Sequence, residues 1–276
     1  MIENLINLRQ QTRQLQPLVH CITNPISIHD CANIVLASGG RPIMAEHPKE
    51  VAEITKNAGS LALNLGNITD ARMESMPVAL DAAAENHVPV MLDLVGTACS
   101  SLRLHFARKL MDIHMPSVLK GNMSELLIMA GHSAHAVGID AGKEDAVQDD
   151  NRRLLTELFQ EKAAQWNTVL LITGKEDMIV SADTCIFVQN GTSTMSQITG
   201  TGCMLGMICA SYLASAPALY AAAASAIEFG IAGEEAAINS IGPGSFQTEL
   251  FDRFYLLTKE KVRTKARFTK ADFRIY

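Results

Sequence analysis

The sequence is poor in aromatic residues and has no closely spaced pair of cysteines. Aromatic residues make up 5% of the 276 positions and apolar residues 48%, so small and aliphatic side chains must fill most of the core. The six cysteines are scattered along the chain without a Cys-x-x-Cys pair. This spacing argues against a disulfide framework or a zinc site and is typical of a protein in the reducing cytoplasm.

The chain also lacks an excess of basic residues and any uninterrupted apolar run of membrane-spanning length. Its formal net charge of −6 gives no basic footprint, so nucleic acid is not an expected partner. Residues 1–16 are polar and amphipathic, unlike a secretion signal. The alanine-rich stretch 203–241 contains Pro217, Glu228 and Glu234, which argue against a membrane span. We therefore expect a cytoplasmic protein that has neither a membrane nor a nucleic acid as partner.

Two common nucleotide-binding patterns are absent. No Gly-x-x-x-x-Gly-Lys-Ser/Thr run occurs, and no Gly-x-Gly-x-x-Gly follows the first apolar run. These absences disfavour a P-loop ATPase and a standard dinucleotide-dependent dehydrogenase.

Short apolar runs alternate with helical patterns, which predicts an α/β fold with a mostly parallel sheet covered on both faces. The predicted strands are 18–22, 42–45, 61–66, 88–93, 117–122 and 168–174, followed by three short ones at 178–182, 185–189 and 192–198. The short ones predict an antiparallel edge. The predicted helices are 2–14, 28–37, 48–57, 70–86, 151–165, two within 203–241 broken near Pro217, and a last one capped by Ser245. Because neither a linker nor an internal repeat divides the chain, we predict a single domain over residues 1–276.

Polar side chains stand at the ends of several predicted strands, where open α/β sheets bind ligands. Asn24 precedes Pro25 after the first strand, and Asp93 ends an apolar run. A buried carboxylate is costly unless it is paired or bound to a cation. The alternative interpretations are an ordinary Asx turn at Asn24 and a helix N-cap at Asp93.

A third strand end carries Lys120, Asn122 and Glu125. The functional interpretation places Asn122 and Glu125 beside Mg²⁺ or its waters, since this ion prefers oxygen ligands, and turns Lys120 toward phosphate oxygens. The structural interpretation makes Asn122 a helix N-cap and Glu125 the third helical residue, a variant of the capping box. Both interpretations can hold at once.

A glycine-rich turn at Gly200-Thr201-Gly202-Cys203 opens the long small-residue stretch. Backbone N–H groups at the start of a helix have no intrahelical partner, and together with the helix dipole they favour an anion such as a phosphate in transfer. The thiol of Cys203 would lie at the helix start, where a cysteine pKa tends to fall. The alternative is a tight turn with a buried cysteine.

Residues 131–150 form the least regular part of the sequence and are predicted to be a surface loop with a short helix. His132 and His135 lie three apart without a third ligand nearby, so no metal site is expected there. Asp149 and Asp150 are predicted to begin the next helix, whereas Asp177 and Asp183 are predicted to be hairpin residues.

Several short motifs together resemble hydroxyethylthiazole kinases of the ribokinase-like group along nearly the whole chain. The motifs are His20-Cys21-Ile22-Thr23-Asn24, Pro42-Ile43-Met44-Ala45, Leu63-Asn64-Leu65-Gly66, Leu92-Asp93 with Val95-Gly96, Lys120-Gly121-Asn122-x-x-Glu125, Ile172-Thr173-Gly174-Lys175-Glu176-Asp177 and Gly200-Thr201-Gly202-Cys203-Met204-Leu205. Each motif is weak alone, but their order and spacing are specific. The resemblance implies a ribokinase-like three-layer α/β/α sandwich.

The resemblance also implies an activity and a set of site residues. The activity is phosphoryl transfer from MgATP to the hydroxyl of 4-methyl-5-(2-hydroxyethyl)thiazole, which gives the thiazole phosphate used in thiamine biosynthesis. Three residues are implied at the thiazole: Met44, Gly200 and Asn24. Three are implied at ATP: Lys120, Thr173 and Asn122. Two are implied near Mg²⁺: Glu125 and Asp93. The implied catalytic turn consists of Thr201, Gly202 and Cys203.

Cys203 stands where most ribokinase-like enzymes have the aspartate that acts as base. The resemblance further implies a homotrimer with active sites at subunit interfaces, where Asn24 and Met44 come from one chain and residues 200–203 from its neighbour. Two departures from the family pattern concern the nucleotide. Leu94 replaces the proline expected after Asp93, and Lys120 replaces a frequent arginine, so that a point charge stands in place of a bidentate group.

Other functions remain open at this point. A kinase for another alcohol, such as hydroxymethylpyrimidine or pyridoxal, would use the same site. A hydro-lyase with the same nucleotide fold would consume ATP only together with a hydrated nicotinamide. A catalytically silent ligand-binding protein would bind the thiazole without forming product. A cysteine hydrolase is disfavoured because no histidine can be placed near Cys203 from the sequence.

Overall fold

A computed structural model of the protein describes residues 2–136, 138–142, 145–148 and 150–271. Within these residues, nine strands form one sheet: β1 (Leu18–Ile22), β2 (Arg41–Ile43), β3 (Ser60–Asn64), β4 (Val90–Asp93), β5 (Val118–Asn122), β6 (Val169–Thr173), β7 (Asp177–Val180), β8 (Cys185–Val188) and β9 (Phe268–Lys270). Their order across the sheet is β2-β1-β3-β4-β5-β6-β7-β8-β9. The first six strands in this order are parallel and the last three pairings are antiparallel.

The described residues form eleven α-helices, which lie on both faces of the sheet. They are α1 (Ile2–Leu15), α2 (Ile28–Ser38), α3 (Val51–Lys56), α4 (Asp70–Glu85), α5 (Ser101–Ile113), α6 (Met123–Met129), α7 (Arg152–Trp166), α8 (Thr201–Leu213), α9 (Ala218–Asn239), α10 (Pro243–Tyr255) and α11 (Lys259–Lys265). Helices α1, α2 and α8 to α11 share one apolar cluster with the sheet, and α3 to α7 share the other. The predicted α/β fold with a mostly parallel sheet and an antiparallel edge is therefore confirmed.

The central strands are buried on both faces, which explains their continuous apolar sequences. Every residue of β3 and of β4 is buried, including the polar residues that end them. Parallel strands covered by helices on both sides require such runs, so the sequence pattern and the layered structure agree.

The prediction of a third edge strand at 192–198 is wrong. Residues Ser193–Gln197 form a 3-10 helix, because the Thr192 hydroxyl accepts a hydrogen bond from the Thr194 N–H and the Ser196 hydroxyl donates to the Ser193 carbonyl. Such local bonds from Ser and Thr side chains compete with strand pairing. The third antiparallel strand is β9, near the C-terminal end of the chain, which pairs with β8.

One helix start differs from the prediction, and part of another prediction lies outside the described residues. Helix α10 begins at Pro243 with Gly242 as N-cap, and Ser245 acts from the third helical position, where its hydroxyl accepts the N–H groups of Ile241 and Gly242. Helix α7 begins at Arg152, whereas Asp149, which we predicted to precede it, lies outside the described residues. No helix in the described part of the chain is long and apolar enough to cross a lipid bilayer.

Candidate active site

Polar side chains from four neighbouring strands meet at the carboxyl edge of the parallel sheet. Asn24 follows β1, Asn64 ends β3, Asp93 ends β4, and Lys120 lies two residues before the end of β5. The strand register places Asn64 beside Asp93 and Asp93 beside Lys120. The sheet topology therefore brings together residues that are far apart in sequence.

These four side chains form a continuous hydrogen-bonded chain. Lys120 Nζ lies 3.0 Å from Asp93 Oδ2, and Asn64 Nδ2 donates to the same oxygen at 3.1 Å. Asn24 Nδ2 donates to Asn64 Oδ1 at 3.0 Å. Asp93 is fully buried, and its carboxylate is paired with a lysine rather than capping a helix, since Ser100 is the N-cap of α5. The N-cap interpretation of Asp93 is therefore wrong.

Burial acts against both charges of the Lys120–Asp93 pair. It raises the pKa of Asp93, an effect that the lysine charge opposes. The pKa of Lys120 lies above its usual value despite burial, because the acidic groups around it, with the Asp93 carboxylate foremost, favour the ammonium form. The pair therefore keeps a protonated lysine at the edge of the sheet.

The first turn of α8 lies directly over this ion pair. A Cβ atom added at Gly202 would lie 3.6 Å from Lys120 Nζ, and one added at Gly206 would lie 3.5 Å from Asp93 Oδ2 and 2.8 Å from Met91 Cε. Gly202 and Gly206 are one helical turn apart and so share a face of α8. Of the two glycines, only Gly206 is tightly packed, against the end of the Met91 side chain, whereas both distances to the ion pair are ordinary van der Waals contacts.

Gly200 turns the chain into α8 with a positive φ of 91°. A Cβ atom there would lie 2.9 Å from Ser27 Cβ, so the position favours glycine for both its conformation and its contact. The first intrahelical bond runs from the Met204 N–H to the Gly200 carbonyl at 2.8 Å. The N–H groups of Thr201, Gly202 and Cys203 precede that bond and can hold an anion.

The sulfur of Cys203 is held by two amide groups. Asn24 Nδ2 and Asn64 Nδ2 each lie 3.3 Å from Cys203 Sγ. The predicted fall in the thiol pKa is wrong, because burial raises the pKa of Cys203 and the charge of Asp93 adds to that rise. The helix start and Lys120 do not offset burial beside a carboxylate.

The same contacts correct the expected division of the site between subunits. Asn24 reaches the sulfur of Cys203 within one chain, and Gly200 meets Ser27 of that chain. The expectation that Asn24 and residues 200–203 come from different chains is therefore wrong.

Asn24 acts as an Asx turn and also faces the site. Its Oδ1 accepts the Ser27 N–H at 3.1 Å and the Ser27 hydroxyl at 3.2 Å. Its amide nitrogen donates to Asn64 and Cys203. All hydrogen-bonding positions of Asn24 are thus in use, so it orients Cys203 in this state.

Asn122 and Glu125 form the capping box of α6, as the structural interpretation predicts. Asn122 Oδ1 accepts the Glu125 N–H at 3.0 Å, and Glu125 Oε2 accepts the Asn122 N–H at 2.7 Å. Glu125 Oε1 also accepts the Gly96 N–H at 2.7 Å. Burial, with the nearby charge of Asp93, raises the pKa of Glu125 to about 7.

The remaining predicted residues lie at the same edge with looser connections. Thr173 ends β6 beside Asn122, and its hydroxyl donates to the Gly121 carbonyl at 3.4 Å. The Thr201 hydroxyl lies within donating distance of the carbonyls of Met195 and Ile198, at 3.1 and 3.3 Å, and so stabilises the turn before α8.

Met44 follows β2, and it packs, half-buried, against the same apolar cluster as Cys203. His20 holds the adjacent residue, because its Nε2 lies 2.9 Å from the Ala45 carbonyl while Nδ1 lies 2.8 Å from the Thr55 hydroxyl. A carbonyl oxygen only accepts, so Nε2 carries the proton. Burial lowers the pKa of His20, which keeps the ring neutral.

The sequence assigned His20 no role in the site, indicated Ser27 only as the N-cap of α2, and indicated Asn64 only as a polar residue at a strand end. Asn64 had a recognisable signal, since it is a polar residue at the end of a buried strand. Ser27 and His20 had none for their place in the site, because their contacts with Gly200 and Ala45 join separate segments. Among the described residues, no group of three or more His, Cys, Asp or Glu side chains forms a ready metal cage.

The chain is similar to known hydroxyethylthiazole kinases. The model of the Hydroxyethylthiazole kinase family matches residues 9–260. Hydroxyethylthiazole kinase 2 of Clostridium botulinum strain 657 / Type Ba4 is 42% identical over 262 residues, covering 95% of this chain and 98% of the relative. Its counterpart from strain Okra / Type B1 is 43% identical over 263 residues, with the same coverage of 95% and 98%.

Solved structures show the same similarity. The hydroxyethylthiazole kinase structure from Pyrococcus horikoshii OT3 matches with a TM-score of 0.88 and 28% identity, covering 98% of this chain and 100% of that chain. A ribokinase-like superfamily protein of Enterococcus faecalis V583 matches with a TM-score of 0.65 and 12% identity, covering 90% and 89%. The second match bears on the fold alone, and it confirms the expected ribokinase-like architecture.

Proposed function

The chain belongs to the hydroxyethylthiazole kinase family, and from this premise we propose that it transfers the terminal phosphoryl group of ATP to 4-methyl-5-(2-hydroxyethyl)thiazole. The acceptor is the hydroxyl of the ethyl side chain, and the product is the thiazole phosphate of thiamine biosynthesis. One observation carries the proposal beyond family membership: Gly202, in a turn of free N–H groups, lies directly above the ammonium group of Lys120.

This arrangement supports phosphoryl transfer for an electrostatic reason. The transition state is loose, with negative charge spread over the transferred oxygens, so positioning and charge neutralisation dominate catalysis. The N–H groups of Thr201, Gly202 and Cys203 supply fixed dipoles on one side, and Lys120 supplies a positive charge below them. Thr173 and Asn122, neighbours at the ends of β6 and β5, border the nucleotide side of the same edge.

The residues around Glu125 fit a hydrated Mg²⁺. Each carboxylate oxygen of Glu125 accepts one backbone N–H, which leaves lone pairs for a bound water. The charge of Asp93 acts against ionisation of Glu125, and the ammonium group of Lys120 favours ionisation of both carboxyl groups. A divalent cation that keeps several waters suits such a pair of carboxylates. When bound, it neutralises the phosphate oxygens of ATP.

Cys203 contributes shape and a neutral thiol rather than a base that is ready to accept a proton. Its raised pKa keeps the thiol protonated near neutral pH, and two amide groups fix the sulfur. A loose transition state places little demand on deprotonation of the alcohol. We expect Cys203→Asp to keep kinase activity and Cys203→Ala to lower it by less than the about 100-fold that general bases often contribute.

The direct test measures product formation by the purified chain with MgATP. Mass spectrometry should detect the thiazole phosphate, and ADP release should match it in amount. Hydroxymethylpyrimidine and pyridoxal serve as competing substrates in parallel reactions. The proposal fails if either competitor is phosphorylated and the thiazole is not, or if the thiazole binds tightly without ADP release.

We also propose three features of the protein's context. Residues 1–276 act as one kinase domain, since the nine described strands share one sheet. The scattered thiols support a cytoplasmic location. The family supports a homotrimer in which Met44 of one chain completes the thiazole site of another; analytical ultracentrifugation at several concentrations tests this assembly.

A further inference from the structure

Asn64 is the best-connected side chain of the candidate site. It is fully buried, and both atoms of its amide group are engaged. Oδ1 accepts from Asn24 Nδ2 at 3.0 Å and from the Gly66 N–H at 2.9 Å. Nδ2 donates to Asp93 Oδ2 at 3.1 Å and to Cys203 Sγ at 3.3 Å. Four bonds saturate an asparagine side chain.

The two bonds from Nδ2 join different halves of the proposed site. Cys203 lies at the glycine turn, where the alcohol is expected. Asp93 holds Lys120, where the phosphates are expected. A single amide nitrogen therefore sets the spacing between the sulfur and the carboxylate.

We propose that Asn64 is a positioning residue that couples the acceptor side of the site, at Cys203, to the phosphate side, at Asp93 and Lys120. This inference rests on the proposed function for the meaning of the two sides, although the coupling itself follows from contacts between protein groups alone. Asn64 is fully buried, and its four hydrogen bonds all join it to protein groups. It acts through the sulfur and through the carboxylate.

Asn24 offers a matched comparison within the same network. It also donates to Cys203 Sγ at 3.3 Å, but its other partners are Asn64 and Ser27 rather than Asp93. A change at Asn24 therefore reaches the sulfur directly and the carboxylate only through Asn64.

Asn64→Asp tests the two donated bonds selectively. The substitution keeps an acceptor oxygen for Gly66 and Asn24, so the loop after β3 keeps its anchor. It removes the amide hydrogens that point at Cys203 and Asp93, and it adds a carboxyl group between them. Asn24→Asp makes the same chemical change at the comparison site.

The first readout is the rate at which iodoacetamide alkylates Cys203, followed between pH 7 and 10 in a Cys99→Ser background. That background removes the exposed cysteine, and the other four thiols are buried. The titratable groups facing Cys203 are Asp93, Lys120 and Cys31. Both variants should move the alkylation profile to higher pH, which slows the reaction about tenfold for each pKa unit.

The second readout is the affinity for a non-hydrolysable ATP analogue with Mg²⁺, measured by calorimetry. Asn64→Asp should weaken binding about 10- to 100-fold, the effect of losing a buried hydrogen bond to a charged group. Asn24→Asp should weaken it less than threefold. The contrast between the two variants is what the coupling predicts, and neither readout requires the thiazole to be a substrate.

Thermal unfolding separates positioning from a purely structural role. A lower melting temperature with unchanged alkylation and unchanged nucleotide affinity at 25 °C would overturn the proposal. Equal losses of nucleotide affinity in both variants would also overturn it. If Asn64→Asp does not fold, Asn64→Ser replaces it, because one hydroxyl can donate to only one of the two partners. That variant should then change one readout, and a change in neither contradicts the coupling.

Discussion

Two buried ion pairs lie in different parts of this molecule and have different surroundings. Lys120 and Asp93 are 3.0 Å apart at the carboxyl edge of the sheet, with side chains 4% and 0% exposed. Arg9 and Glu228 are 3.4 Å apart between α1 and α9, with side chains 7% and 1% exposed. By burial and charge alone, either pair could mark a functional site.

The surroundings of Arg9 explain it as a structural residue. Its guanidinium donates to the carbonyls of Ala37, Phe254 and Tyr255, which lie in the last turns of α2 and α10. The Tyr212 hydroxyl donates to Glu228 at 2.5 Å. The pair therefore satisfies helix ends, which would otherwise have unpaired carbonyls.

Lys120 has a different environment. Its ammonium meets the glycine face of α8, and its partner Asp93 leads through Asn64 to a half-buried sulfur. The residues come from the ends of parallel strands, where α/β folds bind ligands. Position at the carboxyl edge of the sheet, and not burial of charge, therefore distinguishes the candidate site from the Arg9–Glu228 pair.

The sharpest test replaces both members of each pair by neutral residues. Lys120→Met with Asp93→Asn should lower kcat/KM by about 10³-fold or more, since charge neutralisation dominates phosphoryl transfer. The coupled ADP-release assay with thiazole and MgATP measures it. Replacing a whole buried pair costs little stability compared with breaking it, so the variant should still fold.

Arg9→Met with Glu228→Gln is the matched control. Its kcat/KM should stay within about threefold of the parent chain, since a pair that caps helices touches no reacting group. If both double variants lose activity equally, the distinction between the two regions is wrong.

Breaking the Arg9–Glu228 pair should have the next largest effect, and this effect is on stability rather than on activity. Arg9→Met alone leaves the Glu228 carboxylate buried beside Tyr212 and should lower the unfolding free energy by about 3–5 kcal/mol. Urea unfolding followed by circular dichroism measures the change. Adding Glu228→Gln should restore part of it. A single variant as stable as the parent would contradict the structural assignment.

Gly200→Ala tests the glycine turn before α8, a feature that the Lys120–Asp93 pair has beside it and the Arg9–Glu228 pair does not. A non-glycine residue at positive φ costs about 1–2 kcal/mol, and the added methyl group would also meet Ser27 Cβ at 2.9 Å. We expect kcat/KM to fall about tenfold, because relief of the strain displaces the N–H groups of the turn, and a loss of 1.4 kcal/mol of transition-state stabilisation corresponds to a factor of ten.

Gly131→Ala is the control for Gly200→Ala, because Gly131 has φ +87° and nothing within 4 Å of an added Cβ. It shares the conformational strain without the contact. Equal activity losses in both variants would show that strain alone, and not the approach to Ser27, accounts for the effect.

Much of the fold and of the candidate site could be predicted from the sequence, because these features depend on local patterns. The apolar runs predicted the parallel strands. The polar residues at the ends of these runs included Asn24, Asp93 and Lys120. The capping box of Asn122 and Glu125 depends on a spacing of three residues, which the sequence displays directly. The glycine spacing before Cys203 likewise indicated a helix start.

The features that the sequence did not predict depend on contacts between distant segments. The thiol pKa of Cys203 was mispredicted because the effect of burial beside Asp93 exceeds that of the helix start. Strand β9 was missed because it pairs with β8, about 80 residues earlier in the chain, and short polar strands give weak patterns. Asn64 was recognised only as a strand end, since its partners lie on β4 and α8.

The last expected effect, no larger than that of Gly200→Ala, is a pH dependence that arises at the candidate active site. Burial and Asp93 raise the pKa of Glu125 to about 7, so near pH 6 most molecules carry a protonated carboxyl there. If the ionised form holds the hydrated metal, kcat/KM for MgATP should fall about tenfold between pH 8 and pH 6. Saturating MgATP should move the midpoint to lower pH, because a bound cation favours the carboxylate.

The same titration changes the stability of the protein in the opposite direction from its activity. A carboxyl group with a raised pKa in the folded state stabilises the apo protein below its unfolded pKa, and that contribution is lost as the pH rises through about 7. Glu125→Gln should therefore flatten the pH profiles of both kcat/KM and stability.

Glu235 is the control residue. It lies in helix α9, and Lys261 and Lys265 lower its pKa despite burial. Glu235→Gln should leave the pH profile of kcat/KM unchanged. A profile that keeps its midpoint near pH 7 in Glu125→Gln would assign the titration to another group and remove the link between this carboxylate and the metal.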